Sequence, residues 1–373
     1  MTTNRLDPST LIEEETLRDY KAERFLPVRT GEVFKSRYQS IGKLGYGSAS
    51  TVWLCRDLFA SNKYAAFKIL SLSSKHDGRH HIRRLLDSFE VEGPHGRHIC
   101  LIHEPLGISL AERRDLTSGR VFDEDLIRQI FRPILEGLDF LHREAKVIHT
   151  DLQPNNVLIG IEDSSVFDKF AEMAITNPAP RKELSDRIVY VSQPMPLTKG
   201  LPSLTDLSEA RFGNSLHTGL IMPNVYRAPE VILEMEWSYP VDIWSFGMTL
   251  WDLFQPERLF SAKRGDDQYS ESHHLAQMVA ILGDPPPEFL AASKKTAKYW
   301  DQDGKWIHEV AIPAISLESC EQRLSGEDKK NFLTIMRKML SWKPEDRSGW
   351  QDIFFDEWLL ADLIESGEIV RDE

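Results

Sequence analysis

Cysteine is scarce in this sequence. Three occur among 373 residues, Cys55, Cys100 and Cys320, and none stands in a Cys-x-x-Cys spacing. That suggests neither a disulfide framework nor a thiolate zinc site, and it fits a reducing compartment. Long apolar runs are also missing. No segment approaches the roughly 18 residues of a membrane span. Positive charge is in deficit: 45 Lys and Arg stand against 58 Asp and Glu, a formal charge of −13. Binding to nucleic acid through counterion release needs the opposite balance. A basic substrate or partner is compatible with it, and so is plain solubility. The opening stretch MTTNRLDPSTLIEEE is acidic and polar, so it does not read as a secretory signal. There is no internal repeat and no low-complexity tract. The expectation is a cytoplasmic or nuclear protein without a membrane or a direct nucleic-acid partner.

What is present changes texture along the chain. Residues 1–37 are polar with scattered Pro and Gly and read as an extended arm. From Tyr38 the segments YQSIGKLGYGSASTVWLCRDL and KYAAFKILSL alternate and are rich in β-branched residues, which predicts strands. HIRRLLDSFEVEG and GRHICLIHEPLG predict two more, joined at GPHG, so a small antiparallel sheet is expected over 38–104. From Asp123 the period lengthens. Leu126, Ile130, Ile134, Leu135, Leu138 and Leu141 fall at helical spacing. VDIWSFGMTLWDLF, HLAQMVAILG and DKKNFLTIMRKML also predict helices, while 162–203 reads as an insertion loop with one short strand at RIVYVS.

The chemistry-bearing residues come in a fixed order. Gly45 and Gly47 stand between strand-like segments, where glycine lets backbone N–H groups approach a phosphate, although such a pair is more often only a turn. Lys68 lies amid apolar strand residues, either snorkelling to the surface or held for an anion. HTDLQPNN then places Asp151 and Asn156 in a short polar loop between apolar runs. A carboxylate can accept a hydroxyl proton there, and an amide oxygen can hold a metal ion. TDLSEARF adds Asp206, and YRAPEVIL, DIWSFG and PEDRS follow.

This order and spacing resembles the eukaryotic protein-kinase family over about residues 38–360. KLGYGSASTVWL, HTD in place of His-Arg-Asp, the long insertion before Asp206, and ILGDPPPEFL followed by KYWDQDGKW look like the SR-protein kinase branch, in its fungal SR-protein-kinase-like group. The resemblance implies an α+β, bilobal protein-kinase-like fold. Its parts would be an arm (1–37), a kinase domain (38–362) and a tail (363–373). The domain would divide into a small β-rich N-lobe (38–104), a hinge (104–107) and a larger helical C-lobe (108–362) carrying the insertion at about 162–203.

It also implies roles. Asp151 is the catalytic base, with Lys68 and Asn156 as its catalytic companions. Asn156 and Asp206 hold magnesium. Gly45, Gly47 and Ser50, the last where many kinases have a third glycine, cover the nucleotide phosphates, and Lys68 holds two of them. Val52 lies at the nucleotide, Ala66 and Leu158 sandwich adenine, and the backbone of Glu104 and Leu106 binds it. Glu230 pairs with Arg347, Asp242 braces the catalytic loop, and His149 is a core histidine rather than a base.

The sequence departs from that pattern in several places. An active protein kinase pairs the Lys68 equivalent with a helical glutamate. Here the first Glu after Lys68 is Glu90, in the next strand pair. The intervening residues 69–80 could make at most about 18 Å of helix with nothing left for connections. The regulatory helix is therefore expected to be missing or vestigial, leaving an apolar face of the small lobe exposed. Ser208 replaces a glycine and should restrict the backbone. Gln153 stands where many kinases carry a phosphate-contacting lysine, and a neutral amide supplies no full charge. Thr150 replaces the arginine that would bind an activation-loop phosphate, so activity should not wait for phosphorylation of Ser215 or Thr218.

Two functions follow from different classes. One is an ATP- and Mg-dependent serine/threonine kinase acting on basic or Arg-Ser-rich proteins, in mRNA processing. The other is a pseudokinase or truncated kinase serving as a nucleotide-binding or interaction module. A kinase-like small-molecule phosphotransferase is a third, disfavoured by YRAPEVIL and Arg347, which build a platform for protein substrates.

Overall fold

The structure is a computed structural model that describes residues 5–47, 50–59 and 75–369. The chain forms two compact units. The first comprises residues 1–73, 83–108 and 159–200, and the second 74–82, 109–158 and 201–373. No helix among the described residues is long and apolar enough to cross a membrane.

The first unit is β-rich. Val33–Phe34, Tyr38–Tyr46 and Thr51–Asp57 form an antiparallel sheet in that order, with Gly45 opposite Val52 and Tyr46 opposite Thr51. Leu85–Gly93 and Gly96–His103 form a hairpin with Glu92 opposite Arg97, and the turn falls at GPHG as the sequence predicts. Along Leu85–Gly93 burial alternates residue by residue, the period-2 signature of a strand with one covered face. Tyr38 fastens the sheet to the hairpin. Its ring is buried and stacks on Phe89 at 5.9 Å, and its hydroxyl donates to Asp87 at 3.0 Å.

The insertion groups with this unit and is more regular than a loop. Ser165–Thr176 is an α-helix whose Val166, Phe167, Phe170 and Ala171 are buried. A hairpin of Arg181–Glu183 and Ile188–Tyr190 follows. Gly42 lets the helix approach: a Cβ there would stand 3.1 Å from the Phe170 ring.

The N-terminal segment is packed rather than extended. Glu13–Thr16 is a 3-10 turn that places Glu14 and Glu15 in the interior. Lys43, 1% exposed, meets Glu14, Glu13 at 3.3 Å and the Tyr190 carbonyl at 3.2 Å. Lys182 meets Glu15 at 2.5 Å and donates to the Thr10 carbonyl at 3.0 Å. Burying charges is tolerable only because each has a partner and hydrogen bonds. Lys43→Met would strand two carboxylates and is expected to lower the unfolding free energy by about 3–5 kcal/mol. Arg5→Ala would remove an exposed bridge to Glu183 and should cost under about 1 kcal/mol. Urea midpoints of the two variants, compared with the parent, check both values.

The second unit is helical. Its centre is Pro240–Phe254, a mostly apolar helix whose residues from Val241 to Phe254 are all buried, Asp242, Ser245, Thr249 and Asp252 among them. Glu124–Asp139 begins at an Asp123 cap that accepts the Leu126 N–H at 2.8 Å and buries Ile127, Ile130, Phe131, Ile134, Leu135 and Leu138. Glu271–Leu282, Gly326–Met339 and Glu357–Glu365 are the other helices of nine residues or more.

Residues 74–82 also belong here. Asp77–His81 is a 3-10 turn on the Glu124–Asp139 helix. Gly78 touches the helix backbone so closely that a Cβ would stand 1.9 Å from the Glu136 oxygen. His76 bonds Asp139 at 2.6 Å, and His81 lies 3.3 Å from Glu136. Among the described residues from Lys75 to Ser109 there is no α-helix and no helical glutamate. The remainder of the expected gap, residues 69–74, lies outside the described residues, as do Ala66 and Lys68.

Candidate active site

The loop holding Asp151 and Asn156 is pinned at both ends by short strands. Val147–Ile148 pairs antiparallel with Arg211–Phe212, and Val157–Ile159 pairs with Pro202–Leu204. Ile148, Leu152 and Val157 are fully buried, so the apolar runs on either side are anchors sunk in the core. Between them Pro154–Asn156 makes one 3-10 turn, with Pro at the position where its missing N–H costs nothing.

From below, Asp242 fixes the loop backbone. One carboxylate oxygen accepts the His149 N–H at 2.7 Å and the other the Thr150 N–H at 2.9 Å, while the His142 ring bonds at 2.8 Å. Burial alone would raise the Asp242 carboxyl, but His142 and the backbone donors outweigh it and hold it below its ordinary value. Thr150 sits at φ +67°, a left-handed conformation that the clamp maintains, and its hydroxyl donates to the Glu209 carbonyl at 2.9 Å. His149 is fully buried, with its ring on the Thr205 carbonyl at 3.0 Å and the Asp151 N–H at 3.3 Å.

The loop brings its polar side chains together. Asn156 Nδ2 donates to the Asp151 carbonyl at 2.8 Å and to its carboxylate at 2.7 Å. Gln153 donates to the other carboxylate oxygen at 2.9 Å. Gln153 thus orients the carboxylate. Burial pushes the Asp151 carboxyl above its ordinary value, opposed by the Asn156 bond and seconded by the negative charge of Asp206. Asp206 itself is left-handed at φ +56° and accepts the Ser208 N–H at 3.3 Å. The positive φ falls on Asp206, so Ser208 occupies ordinary backbone and the expected restriction there does not arise.

With its amide nitrogen turned to Asp151, Asn156 keeps its Oδ1 for another partner. That oxygen and the Asp206 carboxylate are hard donors suited to a magnesium-like cation completed by phosphate oxygens and water. No cluster of three or more His, Cys, Asp or Glu that could hold a metal occurs among the described residues. A set of one carboxylate and one amide does not require one.

The remaining predicted nucleotide residues divide between the units. Gly45, Gly47, Ser50, Val52, Glu104 and Leu106 are in the first, and Leu158 is in the second. The Gly47 N–H donates to the Ser50 carbonyl at 2.8 Å, closing the hairpin, and a Cβ on Gly45 would meet nothing within 4 Å. The backbone there is open to a ligand. The Glu104 carbonyl accepts from Arg83 Nε at 3.3 Å, leaving one lone pair. The Gly107 N–H is taken by Ile159 at 2.7 Å.

Two further features belong to the second unit. Arg347 and Glu230 form a buried bidentate pair at 2.7 and 2.6 Å, as the resemblance implies. A hollow of about 230 Å³ is lined by Asp151, Glu209, Leu220, Ile221, Met222 and Arg227. Glu209 was not singled out from the sequence. Its position just past the DLS motif was the available signal.

The model of the protein kinase domain matches residues 38–359. A serine/threonine protein kinase of Aspergillus fumigatus is 39% identical over 378 residues, covering 95% of this chain and 93% of that one. Serine/threonine-protein kinase SRPK of Physarum polycephalum is 30% identical over 387 residues, covering 91% and 90%. A crystal structure of a kinase domain has the same fold, with a TM-score of 0.67 at 22% identity, over 89% of this chain and 98% of that one. Relatives named as kinases give the binding-module alternative no support. The chain belongs to the protein kinase family, in its SR-protein-kinase-like branch of serine/threonine kinases.

Proposed function

We propose that this serine/threonine kinase moves the γ-phosphoryl group of ATP to serine in basic, Arg-Ser-rich proteins of mRNA processing, in the nucleus or cytoplasm. The observation that carries the reading is the Asp151 carboxylate, held by Asn156 and Gln153 in a loop clamped by Asp242. Asp151 accepts the serine hydroxyl proton as that oxygen attacks phosphorus. The new O–P bond forms, the bond to the bridging oxygen breaks, and its electron pair leaves with ADP. Asn156 and Asp206 would hold magnesium, which offsets the negative charge of the phosphates. Gly45 and Gly47 offer backbone to the phosphates. Lys68 joins them by resemblance, with Ala66, Val52 and Leu158 about adenine and the Glu104 and Leu106 backbone at its edge. Gln153 leaves the transferring phosphate without a lysine, so its charge falls to the metal and Lys68.

A panel of serine peptides, one with Arg-Ser repeats, one neutral and one acidic, tests the substrate class. Higher kcat/KM on the Arg-Ser peptide is expected. Equal rates, or preference for the acidic peptide, would contradict it.

A further inference from the structure

Lys43 stands two residues before Gly45, on the strand Tyr38–Tyr46 that leads into the glycine hairpin. Its ammonium is buried, yet it reaches toward the hairpin's tip. The Nζ lies 5.2 Å from the centroid of the Tyr46 ring, and Tyr46 is the residue between Gly45 and Gly47. Tyr46 is 40% exposed, so the cation over its ring ties a half-open residue to a buried one.

We propose that Lys43 is a positioning residue for the nucleotide: anchored by the N-terminal segment, it holds Tyr46, and through it the backbone of Gly45 and Gly47, in the arrangement that meets the phosphates. This rests on the reading of those glycines as phosphate-facing backbone given above.

The anchoring comes from outside the sheet and converges on this one residue. The Lys43 ammonium meets Glu14, Glu13 at 3.3 Å and the Tyr190 carbonyl at 3.2 Å. Glu13 also accepts the Ser192 hydroxyl, so the N-terminal carboxylates are themselves tied to the insertion. The Lys43 carbonyl accepts the Gln193 N–H at 2.8 Å. Trp53, opposite Lys43 in the sheet, meets the Tyr190 ring edge-on at 5.4 Å. Side chain, carbonyl and cross-strand neighbour of Lys43 are thus all held. The pairing then skips a residue between Lys43 and Gly45. A bulge of this kind bends the strand beyond it, so what fixes Lys43 also fixes the direction in which the hairpin leaves the sheet. Past the bulge support falls away: among the described residues, a Cβ on Gly45 would meet nothing within 4 Å. A hairpin held at its base and at Tyr46 loses less freedom when phosphates arrive, which shows as tighter nucleotide binding.

The test uses the full chain and reads the nucleotide in two ways. One is the dissociation constant of magnesium with ATP carrying a fluorescent ribose label. The other is KM for ATP, with kcat, at saturating Arg-Ser-repeat peptide. The variants are Tyr46→Leu, Lys43→Met, the two together, and Lys43→Arg. Tyr46→Leu removes the ring at a half-exposed position and leaves the buried charges alone. It is expected to raise both constants by about 2- to 5-fold, the range for a cation–π contact at an exposed site. kcat should stay close to the parent's, as for an interaction made equally before and during transfer. Lys43→Met should raise the constants at least as far, while Lys43→Arg, which keeps a cation, should stay nearer the parent. In the double variant the lysine substitution should add less than it does alone, because part of its route to the glycines is already gone. A purely structural role gives a different pattern: less folded protein lowers the apparent kcat and leaves KM for ATP where it was. That pattern in Lys43→Met, or full additivity of the two substitutions, would overturn the assignment while leaving the kinase reading intact. Where Lys43→Met fails to fold, Tyr46→Leu decides, and parent-like constants in it would overturn the assignment. A folded parent that binds no nucleotide would overturn the kinase reading, and this assignment with it.

Discussion

Replacing Asp151 by asparagine is expected to lower kcat by about 10²- to 10⁴-fold, the usual contribution of a positioned general base. The carboxylate oxygens accept from Gln153 and Asn156, so the loop holds its acceptor aimed before substrate arrives. Asparagine keeps the shape and removes the basicity. The substitution should leave the fold nearly untouched. Burial raises the Asp151 carboxyl above its ordinary value, so the folded chain holds that proton more tightly than the unfolded chain does. The ionised form is then a cost to stability at neutral pH, a cost that disappears as pH falls through the raised value. Asparagine removes this cost and loses one acceptor bond, so the two changes oppose each other. A thermal midpoint close to the parent's, together with lost transfer, is the expected pair of results. The same shift places the acid limb of the parent's kcat/KM profile above the ordinary aspartate range. Activity should be present above that limb and lost below it.

Arg347→Met is expected to lower the unfolding free energy by about 3–5 kcal/mol, as when one partner of a buried ion pair is removed. Both residues are buried, at 0% and 1% side-chain exposure. Arg347 also donates to the Ser341 carbonyl at 3.2 and 3.1 Å and to the Pro240 carbonyl at 3.0 Å, and its guanidinium lies over Trp244 at 5.2 Å. Methionine fills much of the volume but leaves Glu230 charged and dry. Adding Glu230→Leu should recover part of the loss, since an apolar pair of similar size removes the stranded charge. Urea denaturation of the single and double variants reads this directly. A double variant no more stable than Arg347→Met would show that the carbonyl bonds dominate.

Most of the second unit was legible because local signals and chemistry coincide there. The Asp123 cap, the apolar period after it and the predominantly apolar Pro240–Phe254 stretch each specify a helix without reference to distant residues. The loop from Asp151 to Asn156 was legible because its motif resembles the protein-kinase pattern, and the fold brings the two side chains together. The first unit was less legible. Val166, Phe167, Phe170 and Ala171 carried a helical spacing, but the Pro-rich stretch around them reads as loop. Glu13, Glu14 and Glu15 read as part of an acidic, extended arm because their partners are far along the chain. No local pattern announces that Lys182 will meet Glu15. Gln153 looked like a missing charge, and its hydrogen bond to Asp151 emerged only from the fold of the loop.

The central claim is that this chain transfers phosphate to serine through Asp151. The most direct measurement incubates the full chain with γ-labelled ATP, magnesium and an Arg-Ser-repeat peptide, beside the Asp151→Asn variant, and locates the label by mass spectrometry of the peptide. Phosphoserine formed by the parent and nearly absent with the variant is the predicted result. Equal label with both proteins, or none with the folded parent, would contradict it.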